Sequence, residues 1–229
     1  MSGGPPLIVT RPEPGNAATT ERARAMGFDV HAMPLFAAHP VDWRAPAAKD
    51  FDALHLTSAF AARLAGPELA RLAALPVHAV GEATARAAEA AGLTVAMTGT
   101  ADAQRLLDDM ASRNIRAILW LCGRDRSGFD ARGAAIAPLP CYAVDPVPPP
   151  AEWAELIAAP AVLLAHSARA AQRISDLVGG ARGHLSLAAV SAAAAAAAGA
   201  GWRDIAVADR PDDVAILAQA RALWHKGAK

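Results

Sequence analysis

Short apolar runs of four to six residues alternate along the chain with longer alanine-rich segments. The runs are apolar at consecutive positions and often β-branched, which is typical of strands buried on both faces of a parallel sheet. This pattern predicts strands at Leu7–Thr10, Asp29–Met33, Ala53–Thr57, Val77–Val80, Thr94–Met97, Ala117–Leu121, Ala161–Ala165, Leu185–Val190 and Asp204–Ala208.

The alanine-rich segments between these runs predict helices, because Ala has the highest helix propensity. They cover Asn16–Met26, Ala59–Leu64, Glu82–Ala91, Ala103–Arg113, Ala151–Ala158, Ala168–Val178, Ala192–Ala198 and Asp212–Trp224. The alternation of strand and helix predicts an α/β fold with right-handed crossovers between parallel strands.

Two proline-containing segments interrupt this alternation. Phe36–Asp50 carries Pro40 and Pro46, and Cys141–Pro150 ends in three consecutive prolines. Because proline lacks a backbone donor, we expect neither segment to form a central helix or strand, and we interpret both as linkers.

These linkers divide the chain into a short first block, a middle block and a tail. The first block holds two predicted strands and one helix, which is too little to bury its own core, so we expect it to pack with the tail. The prediction is therefore a discontinuous domain of residues 1–35 and 148–229, an inserted domain of residues 42–141, and linker crossings at residues 36–41 and 142–147.

An internal repeat supports two related domains. A strand, a Ser-Ala pair, a helix, a second strand and a turn follow one another in the same order in the middle block and in the tail. Ser58 precedes Gly81 by 23 residues, and Ser167 precedes Ser191 by 24 residues. This spacing indicates duplication, and two similar α/β domains that face one another are expected to form a cleft.

The composition excludes several classes of protein. With 54% hydrophobic and 19% charged residues, the chain is not disordered. The 22 Lys and Arg residues balance the 22 Asp and Glu residues, which argues against a nucleic-acid partner. Two cysteines are too few for a disulfide-stapled secreted fold, no Cys/His spacing indicates a metal site, and no apolar run is long enough to span a bilayer. We therefore expect a cytoplasmic protein with no metal and no membrane partner.

The turns that follow the predicted strands carry the candidate binding residues. In parallel sheets the carboxyl ends of strands lead into helix N-termini, where open N–H groups and the helix dipole favour anions. Several such turns predict a ligand with several carboxylates or phosphates. The candidate substrate-binding residues are Arg11, Ser58, Ala59, Gly81, Ala83, Thr84, Arg124, Ser167 and Ala168.

Each candidate also has a structural interpretation. Ser58 and Ser167 are favourable N-caps, and Gly81 would relieve a tight turn. Thr84 would be an ordinary first-turn helix residue, and the arginines would be solvated surface charges.

Three further polar side chains also have a structural interpretation. His55 and His166 lie within apolar strands and are interpreted as core residues with satisfied hydrogen bonds. Tyr142, the only tyrosine, lies in the proline-rich linker and is interpreted as a packing anchor with its hydroxyl in water.

Motifs of cofactor-dependent and nucleophilic enzymes are missing from the sequence. No GxGxxG or GK[ST] phosphate loop and no GxSxG nucleophile elbow occurs, and the carboxylates do not cluster. The sequence therefore indicates a cofactor-independent enzyme or a protein that is not an enzyme.

An ordered series of short motifs runs along nearly the whole chain. It consists of Val9-Thr10-Arg11-Pro12, a strand that starts after Gly27 and ends in Pro34-Leu35, Thr57-Ser58-Ala59, Val80-Gly81-Glu82-Ala83-Thr84-Ala85, Gly92-Leu93, Tyr142 before a proline-rich crossing, and Ser167-Ala168. This series resembles the uroporphyrinogen-III synthase family. Where that family has a turn of the Gly-x-Thr-Thr-Ala type, Ser191–Ala195 reads Ser-Ala-Ala-Ala-Ala and lacks the threonine hydroxyls.

The resemblance implies two doubly wound parallel-sheet α/β domains, the first discontinuous, joined by a two-stranded linker. It implies a lyase that converts hydroxymethylbilane, a linear tetrapyrrole with eight carboxylates, into uroporphyrinogen III with loss of water and inversion of ring D, without a cofactor or metal. Backbone N–H groups in the cleft would bind the substrate. Thr84, at the cleft edge, and Ser167 match substrate-binding residues of the family, and Tyr142 matches a tyrosine associated with departure of the hydroxyl group.

We further expect a monomer that receives its substrate by transient hand-off from hydroxymethylbilane synthase. Two alternatives stay open. The first is a non-catalytic tetrapyrrole- or anion-binding regulatory protein on the same scaffold, which the altered Ser191–Ala195 turn favours. The second is a two-domain sugar-phosphate transferase, which the missing phosphate loops disfavour.

Overall fold

The computed structural model describes residues 4–99, 103–126 and 128–227. Two compact units share the chain: one contains the chain up to Ala37 and from Asp145 onward, and the other contains Ala38–Val144. The strands are β1 (Leu7–Val9), β2 (Val30–Ala32), β3 (Phe36–Pro40), β4 (Ala53–Leu56), β5 (Val77–Val80), β6 (Val95–Gly99), β7 (Ala117–Gly123), β8 (Ala135–Pro146), β9 (Val162–Ala165), β10 (Ser186–Ala189) and β11 (Asp204–Val207). The helices are α1 (Gly15–Ala25), α2 (Ala59–Leu64), α3 (Glu82–Ala90), α4 (Ala103–Ser112), α5 (Trp153–Ile157), α6 (Ala168–Val178), α7 (Ala192–Ala198) and α8 (Asp213–Gly227).

The first unit is built on a five-stranded parallel sheet in the order β11-β10-β9-β1-β2. Strand β1 lies between β2 and β9, so that Leu7 is paired with Val30 on one side and with Val162 on the other. Leu7 and Val162 belong to one buried cluster with Ile216 and Leu217 of α8. The N-terminal segment thus buries its strands against the tail of the chain, because it has too few elements to form a core alone.

The second unit is built on a six-stranded sheet in the order β3-β8-β7-β4-β5-β6. All the pairings from β8 to β6 are parallel. On one face, Leu54 and Leu119 pack in a cluster that includes side chains of α2 and α3. On the other face, Ile118 packs with Leu106 of α4. Helices cover both faces, which is why the strands are apolar at consecutive positions.

The predicted α/β fold with parallel sheets is confirmed. Each predicted strand and helix has a counterpart whose bounds differ by at most a few residues. None of the helices in the described part of the chain is long and apolar enough to cross a bilayer.

Strands β3 and β8 correct the interpretation of the two proline-containing segments as linkers without a central strand. Strand β8 lies between β3 and β7 in the sheet, although it carries Pro138 and Pro140. The N–H of Ala135 donates to the carbonyl of Arg116, so odd-numbered N–H groups of this part of β8 face β7. The even-numbered positions that hold the prolines face the other side, where no ladder bond to β7 is lost.

The second half of β8 pairs with β3. The Val41 N–H donates to the carbonyl of Cys141, and the Val147 N–H donates to the carbonyl of Leu35. From the first of these bonds to the second, the residue number in the β3 segment falls from 41 to 35 while that in β8 rises from 141 to 147, so the two strands run antiparallel. The extended, proline-containing segments at Phe36–Pro40 and Cys141–Pro146 are therefore strands that pair with each other.

His55 lies on strand β4 of the second unit, and its side chain is fully buried. It is paired across the sheet with His78 and Trp120, and its ring centroid lies 6.2 Å from that of Phe129. Neither ring nitrogen has a hydrogen-bond partner among the described residues, so the prediction of a satisfied core histidine is wrong for His55. Burial is the main reason that the pKa of His55 is lowered to about 4.

We expect His55 to make the protein less stable in mild acid. In the unfolded chain its pKa is near 6.5, against about 4 in the folded protein, so the unfolded state binds the proton first as the pH falls. The resulting loss in the free energy of unfolding is absent above the unfolded pKa and reaches about 3 kcal/mol near the folded pKa. Burial also lowers the pKa of His78, which contributes with the same sign.

Urea unfolding of the wild type and of His55→Leu between about pH 8 and about pH 5 measures this contribution. The variant removes one titrating group and should lose less stability as the pH falls. Equal pH dependence in the two proteins would show that His55 does not carry the effect.

Candidate functional site

Three parallel strands of the second unit end at one edge of its sheet, here called the carboxyl edge. Ser58 follows β4, Gly81 follows β5 and Arg124 follows β7. In α/β folds this is the edge at which ligands bind. The structure therefore brings these predicted residues to a suitable place, although what they bind stays a prediction.

Ser58 begins α2 as its N-cap. Its Oγ accepts a hydrogen bond from the Phe60 N–H at 3.2 Å, and its carbonyl accepts one from the Ala61 N–H. The structural interpretation of Ser58 is thus confirmed. The N–H of Ala59 has no partner among the described residues, so it is open to an anion.

Gly81 ends β5 with a φ of 80°, a left-handed value that favours glycine. Its N–H donates to the carbonyl of Gly99, and its own carbonyl accepts from the N–H groups of Thr84 and Ala85. The interpretation of Gly81 as the residue that relieves a tight turn is confirmed. Ala83, in the first turn of α3, is exposed, and its N–H has no described partner.

Thr84 lies in the first turn of α3, as expected, and only 5% of it is exposed. The reason is that α3 packs against both α2 and β5, so this face of its first turn is covered. Its contact with a substrate stays a prediction.

Tyr142 lies within strand β8 and is 8% exposed, which corrects its interpretation as a linker residue with its hydroxyl in water. Its ring lies 5.6 Å from that of Phe60, centroid to centroid. A Cβ at Gly123 would come within 3.0 Å of Cζ and 3.2 Å of the hydroxyl oxygen of Tyr142, so a larger residue would make the phenol shift by a few tenths of an ångström.

The phenol of Tyr142 is held in its neutral form. Burial raises its pKa above the ordinary value, and an opposing interaction with the side chain of Ser58 is weaker. A neutral phenol at the carboxyl edge has an O–H that can donate a hydrogen bond or a proton.

Arg124 is exposed where β7 ends. Its N–H donates to the carbonyl of Tyr142 at 2.8 Å, and its Nη2 lies 3.3 Å from a carboxylate oxygen of Asp125. The backbone of Arg124 is therefore bonded to the strand that carries Tyr142. The guanidinium of Arg124 lies at the surface.

The first unit carries the other predicted residues at the carboxyl edge of its own sheet. Ser167 follows β9 and caps α6, since its Oγ accepts a hydrogen bond from the Ala170 N–H at 3.0 Å. The structural interpretation is confirmed here too. The exposed Ala168 has an N–H without a described partner, in the first turn of a helix of 11 residues.

Arg11 follows β1 and is paired, which corrects its interpretation as a solvated surface charge. Its Nη1 lies 2.8 Å from Oδ1 of Asp213 at the start of α8. The same carboxylate oxygen lies 3.1 Å from Nε2 of His166. Asp213 was not among the predicted residues, because 202 residues separate it from Arg11 in sequence; an acidic residue opening the last helix was the only signal, and it is common.

His166 also differs from its predicted state. Its side chain is 11% exposed, and only Nε2 has a partner; the buried Nδ1 has none among the described residues. The interpretation as a satisfied core histidine is therefore wrong for one of its two nitrogens.

The turn at Ser191–Ala195 carries one hydroxyl, that of Ser191. The Ser191 Oγ accepts a hydrogen bond from the Ala194 N–H at 3.2 Å and caps α7, and the rest of the turn is alanine. Within the described residues, no group of three or more His, Cys, Asp or Glu side chains is arranged to hold a metal ion.

The chain is thus an α/β protein with two largely parallel sheets. At the carboxyl edge of each sheet, turns with open N–H groups lead into helices. The chain belongs to the uroporphyrinogen-III synthase family: the family model described as uroporphyrinogen-III synthase HemD matches residues 17–218. It is accordingly an enzyme of the lyase class in tetrapyrrole biosynthesis, as the resemblance predicts.

Solved structures of two bacterial enzymes share the fold. The uroporphyrinogen-III synthetase from Helicobacter pylori is 14% identical with a TM-score of 0.66, over 96% of this chain and 99% of that chain. A mutant uroporphyrinogen III synthase from the extremely thermophilic bacterium Thermus thermophilus is 18% identical with a TM-score of 0.50, over 95% of this chain and 98% of that chain. No curated protein matches the chain in sequence.

Proposed function

We propose that the chain converts hydroxymethylbilane into uroporphyrinogen III, with inversion of ring D and loss of water. The buried, neutral phenol of Tyr142, beside Gly123 at the carboxyl edge of the second sheet, is the observation that carries this proposal. The open N–H groups of Ala59 and Ala83 lie at the same edge and suit the carboxylates of this substrate.

The substrate supplies much of the reactivity. Its hydroxyl leaves the carbon attached to ring A, takes up a proton and departs as water, and the remaining cation is stabilised by the electron-rich pyrrole. Ring D attacks this carbon through its substituted α-carbon and forms a spirocyclic intermediate. The bond from that α-carbon to the ring C bridge then breaks and forms again at the free α-carbon, and a proton is lost.

Tyr142 would donate a hydrogen bond to the departing hydroxyl. Because burial raises the pKa of Tyr142, the donor stays protonated at neutral pH. The remaining task of the protein is to hold the chain of pyrroles curled, so that the substituted carbon of ring D is attacked in preference to the free one.

The eight carboxylates of the substrate would need several hydrogen-bond donors. The proposed substrate-binding residues are Ser58, Ala59, Gly81, Ala83, Thr84 and Arg124 of the second unit, with Arg11, Ser167 and Ala168 of the first. Hydroxymethylbilane closes spontaneously to the type I isomer, so a direct hand-off from hydroxymethylbilane synthase to a monomer in the cytoplasm would limit that loss.

The purified chain incubated with hydroxymethylbilane tests the proposal, with the products oxidised to porphyrins and the isomers resolved by chromatography. We expect the type III isomer to dominate, and the type I isomer to appear alone in a heat-treated control. Type I product alone with the native chain would contradict the proposal and favour the non-catalytic binding protein instead.

A further inference from the structure

The carboxylate of Asp213, the first residue of α8, contacts side chains from three other parts of the first unit. Its Oδ1 lies 2.8 Å from Nη1 of Arg11 and 3.1 Å from Nε2 of His166. Its Oδ2 accepts from the Thr19 hydroxyl at 2.8 Å and lies 2.6 Å from Nη1 of Arg22. The Asp213 side chain is 15% exposed, so its contacts with Arg11, Thr19 and His166 are partly buried, whereas the contact with Arg22 is exposed.

The guanidinium of Arg11 is hydrogen-bonded at one nitrogen and has no described partner at the other two. Its Nη1 bonds to Asp213 and also to the Thr19 hydroxyl at 3.3 Å. Its Nε and Nη2 bond to no described residue, and the side chain is 34% exposed. Two parallel N–H groups of this kind match the two oxygens of a carboxylate.

A glycine leaves room for Arg11 in this orientation. A Cβ at Gly15, the first residue of α1, would come within 2.5 Å of Nε, 2.8 Å of Cζ and 2.9 Å of Nη2 of Arg11, so a side chain there would crowd the Nε and Nη2 edge. A larger residue would therefore make the guanidinium shift. Asp213 and Thr19 hold Arg11 at one nitrogen, and Gly15 leaves space beside the other two.

The cluster keeps a net positive charge. Burial opposes ionisation of Asp213, but hydrogen bonds from His166 and Thr19 and the charge of Arg11 outweigh it, so the pKa of Asp213 lies well below its ordinary value. Burial lowers the pKa of His166, which leaves that imidazole neutral at neutral pH. One carboxylate thus faces two guanidinium groups, from Arg11 and Arg22, and cannot neutralise both.

We propose that Asp213 is a positioning residue that holds Arg11 with its Nε and Nη2 edge open for a carboxylate of the substrate. This inference rests on the proposed function, because hydroxymethylbilane supplies the carboxylate. Asp213 itself is saturated by four partners and would not touch the substrate; it acts through Arg11.

Steady-state kinetics with hydroxymethylbilane test this role through the split between KM and kcat. Loss of a charged hydrogen bond in binding corresponds to a rise in KM of about tenfold or more, which we expect for Asp213→Asn and for Arg11→Gln, with kcat changed much less. The double variant should be no worse than Arg11→Gln alone, because Asp213 acts only through Arg11.

Two variants separate positioning from stability. Gly15→Ala keeps every charge and places a good helix former in α1, so it should unfold like the wild type and yet raise KM as Asp213→Asn does. Arg22→Gln removes a different partner of Asp213 and part of the positive charge but leaves the bonds of Arg11 intact, so it should raise KM less than Arg11→Gln does. An unchanged KM in Gly15→Ala, or additive effects of the Asp213 and Arg11 changes, would overturn the inference even if Asp213→Asn failed to fold.

Binding of uroporphyrin III, an octacarboxylate, followed by its fluorescence distinguishes failure of this inference from failure of the proposed function. If the wild type makes only the type I isomer, the proposed function fails, and the affinity for the probe decides about Asp213. We then expect binding about tenfold weaker in Asp213→Asn and Gly15→Ala than in the wild type. Equal affinities, or no binding by the wild type, would overturn the inference.

Discussion

Tyr142→Phe is expected to lower the turnover of hydroxymethylbilane by about one hundredfold without abolishing it, since a positioned proton donor contributes on this scale. The residual rate would come from positioning of the substrate, which the variant leaves intact. The ring of Tyr142 and its contact with Phe60 are kept, so folding should not change. Single-turnover rates and thermal unfolding of the same preparation measure both quantities. Wild-type turnover in the variant would remove Tyr142 from the mechanism.

Gly123→Ala provides an independent check on the phenol. The new Cβ would meet Cζ of Tyr142 at 3.0 Å, so the ring must shift by a few tenths of an ångström. We expect turnover to fall, and to fall no further when Gly123→Ala is combined with Tyr142→Phe, because the phenol hydroxyl is then already missing. A further loss in the double variant would mean that Gly123 matters for another reason.

Thr84→Val is expected to lower kcat/KM for type III product by about tenfold or more, because a hydrogen bond to a charged carboxylate is lost. Thr84 stands next to the open N–H of Ala83 at the carboxyl edge, so a carboxylate bound there would lie close to its side chain. Valine keeps the branched shape that fills this buried position, and the free energy of unfolding should therefore change little.

Thr84→Ser is the matched control for the hydroxyl. It keeps the hydroxyl and removes the methyl group, so it should retain most of the activity while losing some stability from the buried site. Activity that is intact in Thr84→Val would return Thr84 to a purely structural role as a first-turn residue of α3.

The parallel strands could be predicted because burial on both faces makes the central strands apolar at most positions. Strand β8 could not, because the sequence shows its prolines and not the side of the strand on which their nitrogens lie. Only the hydrogen bond from the Ala135 N–H to the Arg116 carbonyl reveals that Pro138 and Pro140 face away from β7. The burial of Tyr142 could not be predicted either, because the prolines after it indicate a linker. In the structure Tyr142 lies in the sheet.

The candidate site was predictable where it depends on local structure. Ser58 and Ser167 cap helices directly after strands, a pattern that sequence shows. The partners of Arg11 were not predictable, since Asp213 and His166 reach it from distant parts of the chain. The two unpaired nitrogens of His55 were missed for a related reason: an apolar strand predicts burial of a histidine but not whether a donor or acceptor lies within reach.

Isotope tracing of the new bond tests the central claim most directly. In hydroxymethylbilane labelled with carbon-13 at the hydroxymethyl carbon and at the substituted α-carbon of ring D, attack by the substituted carbon joins the two labels, whereas spontaneous closure at the free carbon leaves them apart. We predict a one-bond carbon–carbon coupling in the NMR spectrum of the product formed by the native chain. A product without that coupling would contradict the assignment of the chain as a catalyst of ring D inversion.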